Sequence, residues 1–248
     1  MNEDLQITKL GMQDLENVMA LQKKIIDNLE EDKKHFTVCR SKNDFMKALT
    51  GSKQCMYGIY VGKNLVAQSI LSFAEDEFVA AEAPELVRGY SLSDVAVYKA
   101  VLVDPAYRGK GLMKRMLQAR EDMAVICGKK IAMCKISADN NISLENALKH
   151  GMQIAKIGVD KTGHEKLYLQ KSLEPKLFMS AKYQNAFIMR LAHNNKFNNV
   201  VINKMGALCK QGKIGFWDKQ LDALVWAEKG GQVKALYQSV PYNKLKER

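Results

Sequence analysis

The chain has 248 residues, of which 38 are basic and 27 acidic, so its formal net charge is +11. The charge is uneven: residues 1–173 hold 25 basic and 22 acidic side chains, whereas residues 174–248 hold 13 and 5. A hydrophobic fraction of 47% excludes a disordered protein, and no apolar run reaches the roughly 20 residues that a membrane helix needs. We therefore predict a globular domain over 1–173 and a basic extension over 174–248.

The amino-terminal segment and the cysteines indicate a cytoplasmic protein. The segment MNEDLQITKL has no basic stretch followed by an apolar one, so we expect no secretory signal. The five cysteines are widely spaced and contain no CxxC pair, which favours buried, reduced thiols over a disulfide framework or a zinc site. We accordingly predict no metal site.

Apolar spacing and turn residues predict the secondary structure of the first 173 residues. In chain order the predicted elements are a strand at 5–9, helices at 11–29 and 43–49, strands at 55–61, 65–75 and 94–104, a helix at 111–127, a strand at 130–138, a helix at 143–150 and a hairpin of strands at 152–159 and 165–173. A helix that joins two neighbouring strands of one sheet requires them to be parallel, whereas hairpins are antiparallel. The predicted fold class is therefore α/β (α+β), with a mixed sheet flanked by helices.

The most informative segment is VDPAYRGKGL (103–112), which joins a buried strand to the longest predicted helix. A strand that ends at a proline and turns through two glycines places the free N–H groups of a helix start at one point. The side chains of Arg108, Lys110 and Lys114 add positive charge there. Neither a Walker A loop nor G-x-G-x-x-G is present, but the context predicts a phosphate or pyrophosphate site.

Two segments resemble the motifs of the GNAT N-acetyltransferase superfamily. RGKGLM (108–113) is similar to Q/R-x-x-G-x-G/A, although Met113 stands where the family has Gly or Ala. ADNNIS (138–143) and LKHGM (148–152) are similar to the second motif, N-x-x-S followed by L-G-F. The order of elements over about 5–173 is also that of the family, so the resemblance implies a central sheet in which two strands splay apart.

What the resemblance implies is direct transfer of an acetyl group from acetyl-CoA to a primary amine. The pantetheine arm would pair with the strand 94–104, and the pyrophosphate would lie on the amides of the following turn. The implied cofactor-binding residues are Val101, Leu102, Val103, Arg108, Gly109, Lys110, Gly111, Leu112, Met113, Lys114, Asn140 and Ser143.

The sequence departs from the family at both usual proton-transfer positions. The Tyr that often protonates the CoA thiolate is replaced by Ala147, and the Glu that often serves as the base is replaced by Lys99. Substitute candidates for the catalytic role are Tyr98, Tyr168, His164 and Asp94. Strand alternation places the first of these on the sheet face opposite to the usual Glu. Two hypotheses follow: an active N-acetyltransferase, or a non-catalytic CoA-sensing module that engages a partner.

The acceptor and the extension are predicted only in outline. The loop 76–92 is long and acidic, and it would attract a cationic amine such as a lysine side chain or a polyamine; a merely solvated loop is the alternative. In the extension, apolar spacing predicts helices at 177–193, 199–211 and 216–229. These helices would pack on the domain or form a homodimer contact. Binding of nucleic acid or of an anionic membrane surface remains as the other interpretation of their lysines.

Overall fold

The computed structural model describes residues 5–73, 89–160, 162–174, 187–189, 199–218 and 223–228. The helices in this part are α1 Leu15–Asp27, α2 Lys42–Thr50, α3 Leu112–Ile126, α4 Asn141–Lys149 and α5 Asn199–Lys210. The strands are β1 Ile7–Lys9, β2 Gln54–Val61, β3 Asn64–Phe73, β4 Val95–Val103, β5 Ile131–Ser137, β6 Gln153–Val159, β7 Glu165–Ser172, β8 Phe187–Met189, β9 Lys213–Asp218 and β10 Ala223–Glu228. No helix within these ranges is long and apolar enough to cross a membrane.

The strands form one sheet in the order β1-β2-β3-β4-β5-β7-β6-β9-β10-β8. Only β4 and β5 pair in parallel, because α3 crosses over between them; the other described pairs are antiparallel. The larger hydrophobic core lies between one face of the sheet and α3, α4 and α5, whereas α1 and α2 cover the other face of β2 and β3. The predicted mixed sheet flanked by helices is confirmed.

Local sequence signals set several of these boundaries. Ser41 caps α2 in a capping box, in which the Asp44 amide donates to Ser41 Oγ at 3.2 Å and the Ser41 amide donates to the Asp44 carboxylate at 2.9 Å. The β2–β3 hairpin turns at Gly62, whose φ of +58° favours glycine. The predicted elements between residues 5 and 173 are all present, with boundaries that differ by a few residues; the segment 76–88 of the predicted acidic loop lies outside the described residues.

The described part of the extension contains one helix and three strands. The helix predicted at 199–211 is confirmed as α5, but the helix predicted at 216–229 is wrong, since β9 and β10 form an antiparallel hairpin there. Of the helix predicted at 177–193, only β8 lies within the described residues, and it too is a strand.

Pairing with β6 explains why residues 213–218 form a strand. β9 pairs with β6, so that Gln153 lies opposite Phe216 and Ile154 lies opposite Gly215. On β10, Leu224 and Trp226 are both fully buried, which is the period of two that a strand gives. The cysteines were expected to be buried thiols, and this holds for Cys55 and Cys134; it is wrong for Cys39 and Cys127, which are exposed.

Candidate functional site

A gap opens in the middle of the sheet where β4 and β5 diverge. Their parallel pairing runs from Val95–Ile131 to Val97–Met133, and no further pair joins the described residues of the two strands. β4 continues to Val103 and β5 to Ser137. The carboxyl-terminal half of β4 therefore faces a gap into which an extended ligand can insert by pairing with its backbone.

Beside this gap, a β-bulge changes the direction of β4. The register between β3 and β4 shifts between Gln68–Leu102 and Ile70–Lys99. Within the bulge Ala100 has φ +47°, and it is the only described residue other than glycine with a positive φ. A bulge of this kind bends and twists the strand, so it changes the direction of the amides that follow it. Strain of this type is common at functional sites.

The turn after β4 contains two glycines with positive φ and leads into the start of α3. Gly109 and Gly111 have φ values of +78° and +73°, and a Cβ added to either would meet no protein atom within 4 Å. Helix α3 makes its first backbone hydrogen bond from the Arg115 amide to the Gly111 carbonyl at 3.2 Å. The three N–H groups ahead of it have no partner within the helix. The residues present therefore fit a pyrophosphate group.

Buried contacts hold this turn in place. Asp104 is 5% exposed; its carboxylate accepts the Ala106 amide at 3.0 Å and forms an ion pair with Lys24 of α1 at 2.6 Å. Burial favours the neutral acid, but the hydrogen bonds from Lys24 and Ala106 outweigh it and lower the pKa of Asp104. On the turn itself, the ammonium of Lys110 lies 4.8 Å from the centre of the Tyr107 ring.

Helix α4 begins on the other side of the gap. Asn140 caps it, since its side-chain oxygen accepts the Ser143 amide at 3.2 Å. Ala147 is buried in the larger core, in the same cluster as Tyr98. At the position of the family's usual tyrosine the protein therefore has a buried methyl group.

The gap is bordered by an aromatic ring and a buried cation on the side of α3. Tyr98 of β4 is 4% exposed, and its hydroxyl has no hydrogen-bond partner among the described residues. The guanidinium of Arg120, from α3, lies 4.8 Å from the centre of the Tyr98 ring. Burial raises the pKa of Tyr98, so its phenol stays protonated at neutral pH.

The opposite face of the gap is basic. Tyr168 of β7 packs there with Val97 and Met133. The ammonium groups of Lys135 and Lys156 lie 6.0 Å and 5.2 Å from the centre of the Tyr168 ring. Strand alternation places Lys99 on this same face, because Ala96 and Tyr98 belong to the core under α3.

A polar cluster forms the rim at the carboxyl end of β5. Lys166 is 6% exposed; its ammonium donates to Ser137 Oγ at 2.5 Å and to the His35 carbonyl at 3.1 Å. The His35 ring stacks on His164 with centroids 4.0 Å apart. Burial lowers the pKa of Lys166, and the neighbouring Asp160 opposes that effect. These contacts tie the segment Glu31–Phe36 to the β6–β7 turn.

The structure brings most of the residues singled out in the sequence to one gap. The residues of the predicted cofactor set lie along β4, the turn that follows it and the starts of α3 and α4. Tyr98 and Tyr168 lie on opposite faces of the gap, and His164 lies in the β6–β7 turn. Asp94 lies at the other end of β4, where it pairs with Lys130 at 3.1 Å.

Two features were missed in the sequence. The bulge at Ala100 leaves no local signal, because VAVYKAVLV (95–103) has the composition of an uninterrupted strand. Arg120 had a signal: it lies four residues after Met116 and four before Ala124, so helical spacing places it on the buried face of α3.

The comparisons with known proteins agree with this geometry. The model of the acetyltransferase (GNAT) family matches residues 25–152, and the chain therefore belongs to that family. A search of curated protein sequences gives no significant match.

Among solved structures, an N-acetyltransferase from Staphylococcus aureus Mu50 is 15% identical, with a TM-score of 0.52; the match covers 68% of this chain and 97% of that one. The ribosomal-protein-S18-alanine N-acetyltransferase from Escherichia coli is 15% identical, with a TM-score of 0.50 and coverage of 72% and 97%. The structure of yncA from Salmonella typhimurium with its cofactor acetyl-CoA is 16% identical, with a TM-score of 0.50 and coverage of 70% and 96%. At these identities the likeness concerns the fold.

Proposed function

We propose that the protein is an N-acetyltransferase that moves an acetyl group from acetyl-CoA to a primary amine by direct transfer. One observation carries the proposal: the gap beside β4 leads at its carboxyl end to the anion-binding turn around Gly109 and Gly111. A gap that accepts an extended arm and a turn that accepts a pyrophosphate together match the two halves of CoA. Membership of the acetyltransferase family supports the same donor.

The chain's own groups account for binding and orientation. The Arg108 amide already donates to the Pro105 carbonyl at 3.3 Å, so the amides from Gly109 to Lys114 would hold the pyrophosphate. The backbone of Val101 to Val103 would hold the pantetheine arm. The bound donor supplies an acetyl group activated as a thioester. Holding the thioester against one position of a neighbouring amine removes much of the entropic cost of the reaction.

The proton balance must be met without the two usual side chains. As the C–N bond forms and the C–S bond breaks, one proton leaves the amine and one reaches the thiolate sulfur. Lys99 and Ala147 stand where the family's base and acid are common, and we propose that water carries these protons. Tyr168 and His164 are the side chains on the acceptor side that can assist, since they lie on the basic face and in its rim.

The test is release of CoA thiol from acetyl-CoA in the presence of amines, with the acetylated product identified by its mass. The panel should pair polyamines and lysine peptides with amines that also carry a carboxylate. Both kinds are needed because Lys99, Lys135 and Lys156 lie on the basic face of the gap and would favour a carboxylate. The acidic residues of 76–88, which would favour a cationic amine, lie outside the described part. Amine-dependent release supports the proposal; acetyl-CoA binding without release for every amine contradicts it.

A second candidate function is a CoA-sensing module without catalysis. The absence of the usual base and acid at Lys99 and Ala147 favours it specifically. In that case acetyl-CoA and CoA bind, no amine is acetylated, and the bound state changes the affinity for a partner protein. A pull-down with and without CoA separates the two functions.

A further inference from the structure

Arg120 is a charged side chain buried in a core that is otherwise largely hydrophobic. It is 2% exposed and packs among the residues between α3 and the sheet. No described carboxylate lies within ion-pair distance, and burial lowers its pKa to about 10, so the guanidinium is still charged at neutral pH. Burying an unpaired charge is costly, and a methionine would fill similar space without that cost.

The partners of Arg120 show where this charge acts. Its Nε donates to the Met116 carbonyl of its own helix at 3.3 Å, and its Nη1 donates to the Lys99 carbonyl of β4 at 3.2 Å. The ring of Tyr98 lies against the guanidinium. Arg120 therefore links α3 to the two residues of β4 that come directly before the bulge at Ala100.

The contact between Arg120 and β4 lies where the pairing of β4 with both neighbouring strands is interrupted. Pairing with β5 ends at Val97, and the register with β3 breaks between Lys99 and Leu102. Ala100 adopts a positive φ there, which is unfavourable for a residue with a Cβ. A hydrogen bond from a charged donor to the preceding carbonyl offsets part of this cost and fixes the bend.

We propose that Arg120 is a positioning residue for acyl transfer: by holding the Lys99 carbonyl it fixes the bulge at Ala100, and so sets the direction of the Val101 and Val103 amides at the gap. The inference rests on the proposed acetyl-CoA binding. Arg120 does not touch the donor in this account, and it acts only through the backbone of β4.

The test compares two ligands on Arg120→Met. Acetyl-CoA uses both the gap and the turn, whereas adenosine 3′,5′-bisphosphate carries phosphates but no pantetheine arm. Loss of a hydrogen bond from a charged donor predicts an acetyl-CoA affinity about tenfold weaker. The affinity for the bisphosphate should not fall. Arg115→Met is the matched control, since Arg115 is an exposed arginine on the same helix that donates to the Leu5 carbonyl.

Each outcome bears on a different claim. A lower affinity for acetyl-CoA with an unchanged affinity for the bisphosphate supports the positioning role. An equal loss of affinity for both ligands, or no loss for either, overturns it. If Arg120→Met does not fold, Arg120→Lys keeps the charge with fewer donors and is judged by the same ratio. Hydrogen exchange at the Val101 amide of the ligand-free protein should also quicken in the Arg120 variant and not in the control. If the wild-type protein does not bind acetyl-CoA at all, the proposed function fails instead.

Discussion

Glycine substitutions at the two ends of α3 separate strain from ligand binding. Gly111 precedes the helix with φ +73°, and Gly128 follows it with φ +69°. A Cβ at either position would meet no protein atom within 4 Å, so neither alanine causes a clash. The left-handed conformation costs an L-residue about 1–2 kcal/mol. Gly111→Ala and Gly128→Ala should therefore lower the free energy of unfolding by similar amounts.

Ligand binding should distinguish the two variants. At Gly111 the added methyl group lies beside the start of α3, where we propose that the pyrophosphate binds, and at Gly128 it lies at the far end of the helix. We expect Gly111→Ala to weaken acetyl-CoA binding by about tenfold, which corresponds to about 1.4 kcal/mol, and Gly128→Ala to leave it unchanged. Gly111→Asp, which adds a negative charge at the same place, should abolish binding. Urea unfolding and calorimetric titration measure the two quantities. Equal affinities for the two alanine variants would refute the assignment of the turn.

Two further predictions concern stability. Burial opposes ionisation of Asp104, but the hydrogen bonds from Lys24 and Ala106 outweigh it and lower the pKa. The stability that this carboxylate contributes is therefore present above its unfolded pKa of about 3.9 and is lost as the pH falls towards its lower folded value. Asp104→Asn should thus destabilise the protein at neutral pH. Urea unfolding should show that the difference in free energy of unfolding between variant and wild type becomes smaller in acid. A difference that does not change with pH would contradict the ion pair. Gly215→Ala should lower the melting temperature, because a Cβ there would lie 2.9 Å from the Trp226 ring. Gly206→Ala, in α5 with no atom within 4 Å, should raise it slightly, and the reverse order would contradict the packing of the extension.

The sequence predicts the first 173 residues well because their signals are local. Pro105 follows the end of β4, and Gly111 is the residue before the first residue of α3. The spacing of apolar residues also differs clearly between helices and strands over long segments. The proposed anion-binding turn also has a local signal, because it depends on two glycines and a helix start rather than on distant contacts. The family resemblance is confirmed by the family model, which matches residues 25–152.

The errors fall where structure depends on distant contacts. In 216–229 the apolar residues Phe216, Leu224 and Trp226 fit a helix and a strand equally well. Pairing of β9 with the edge of β6 decides in favour of the strand. The bulge at Ala100 likewise depends on the register between two strands, which no local pattern records.

A crystal structure with acetyl-CoA tests the central claim most directly. We predict the pyrophosphate on the amides between Arg108 and Lys114, and the pantetheine arm beside Val101 and Val103 in the gap beyond the Val97–Met133 pair. The thioester should then open towards the face that carries Tyr168. Acetyl-CoA bound elsewhere, or a gap that stays empty at saturating acetyl-CoA, would contradict the account.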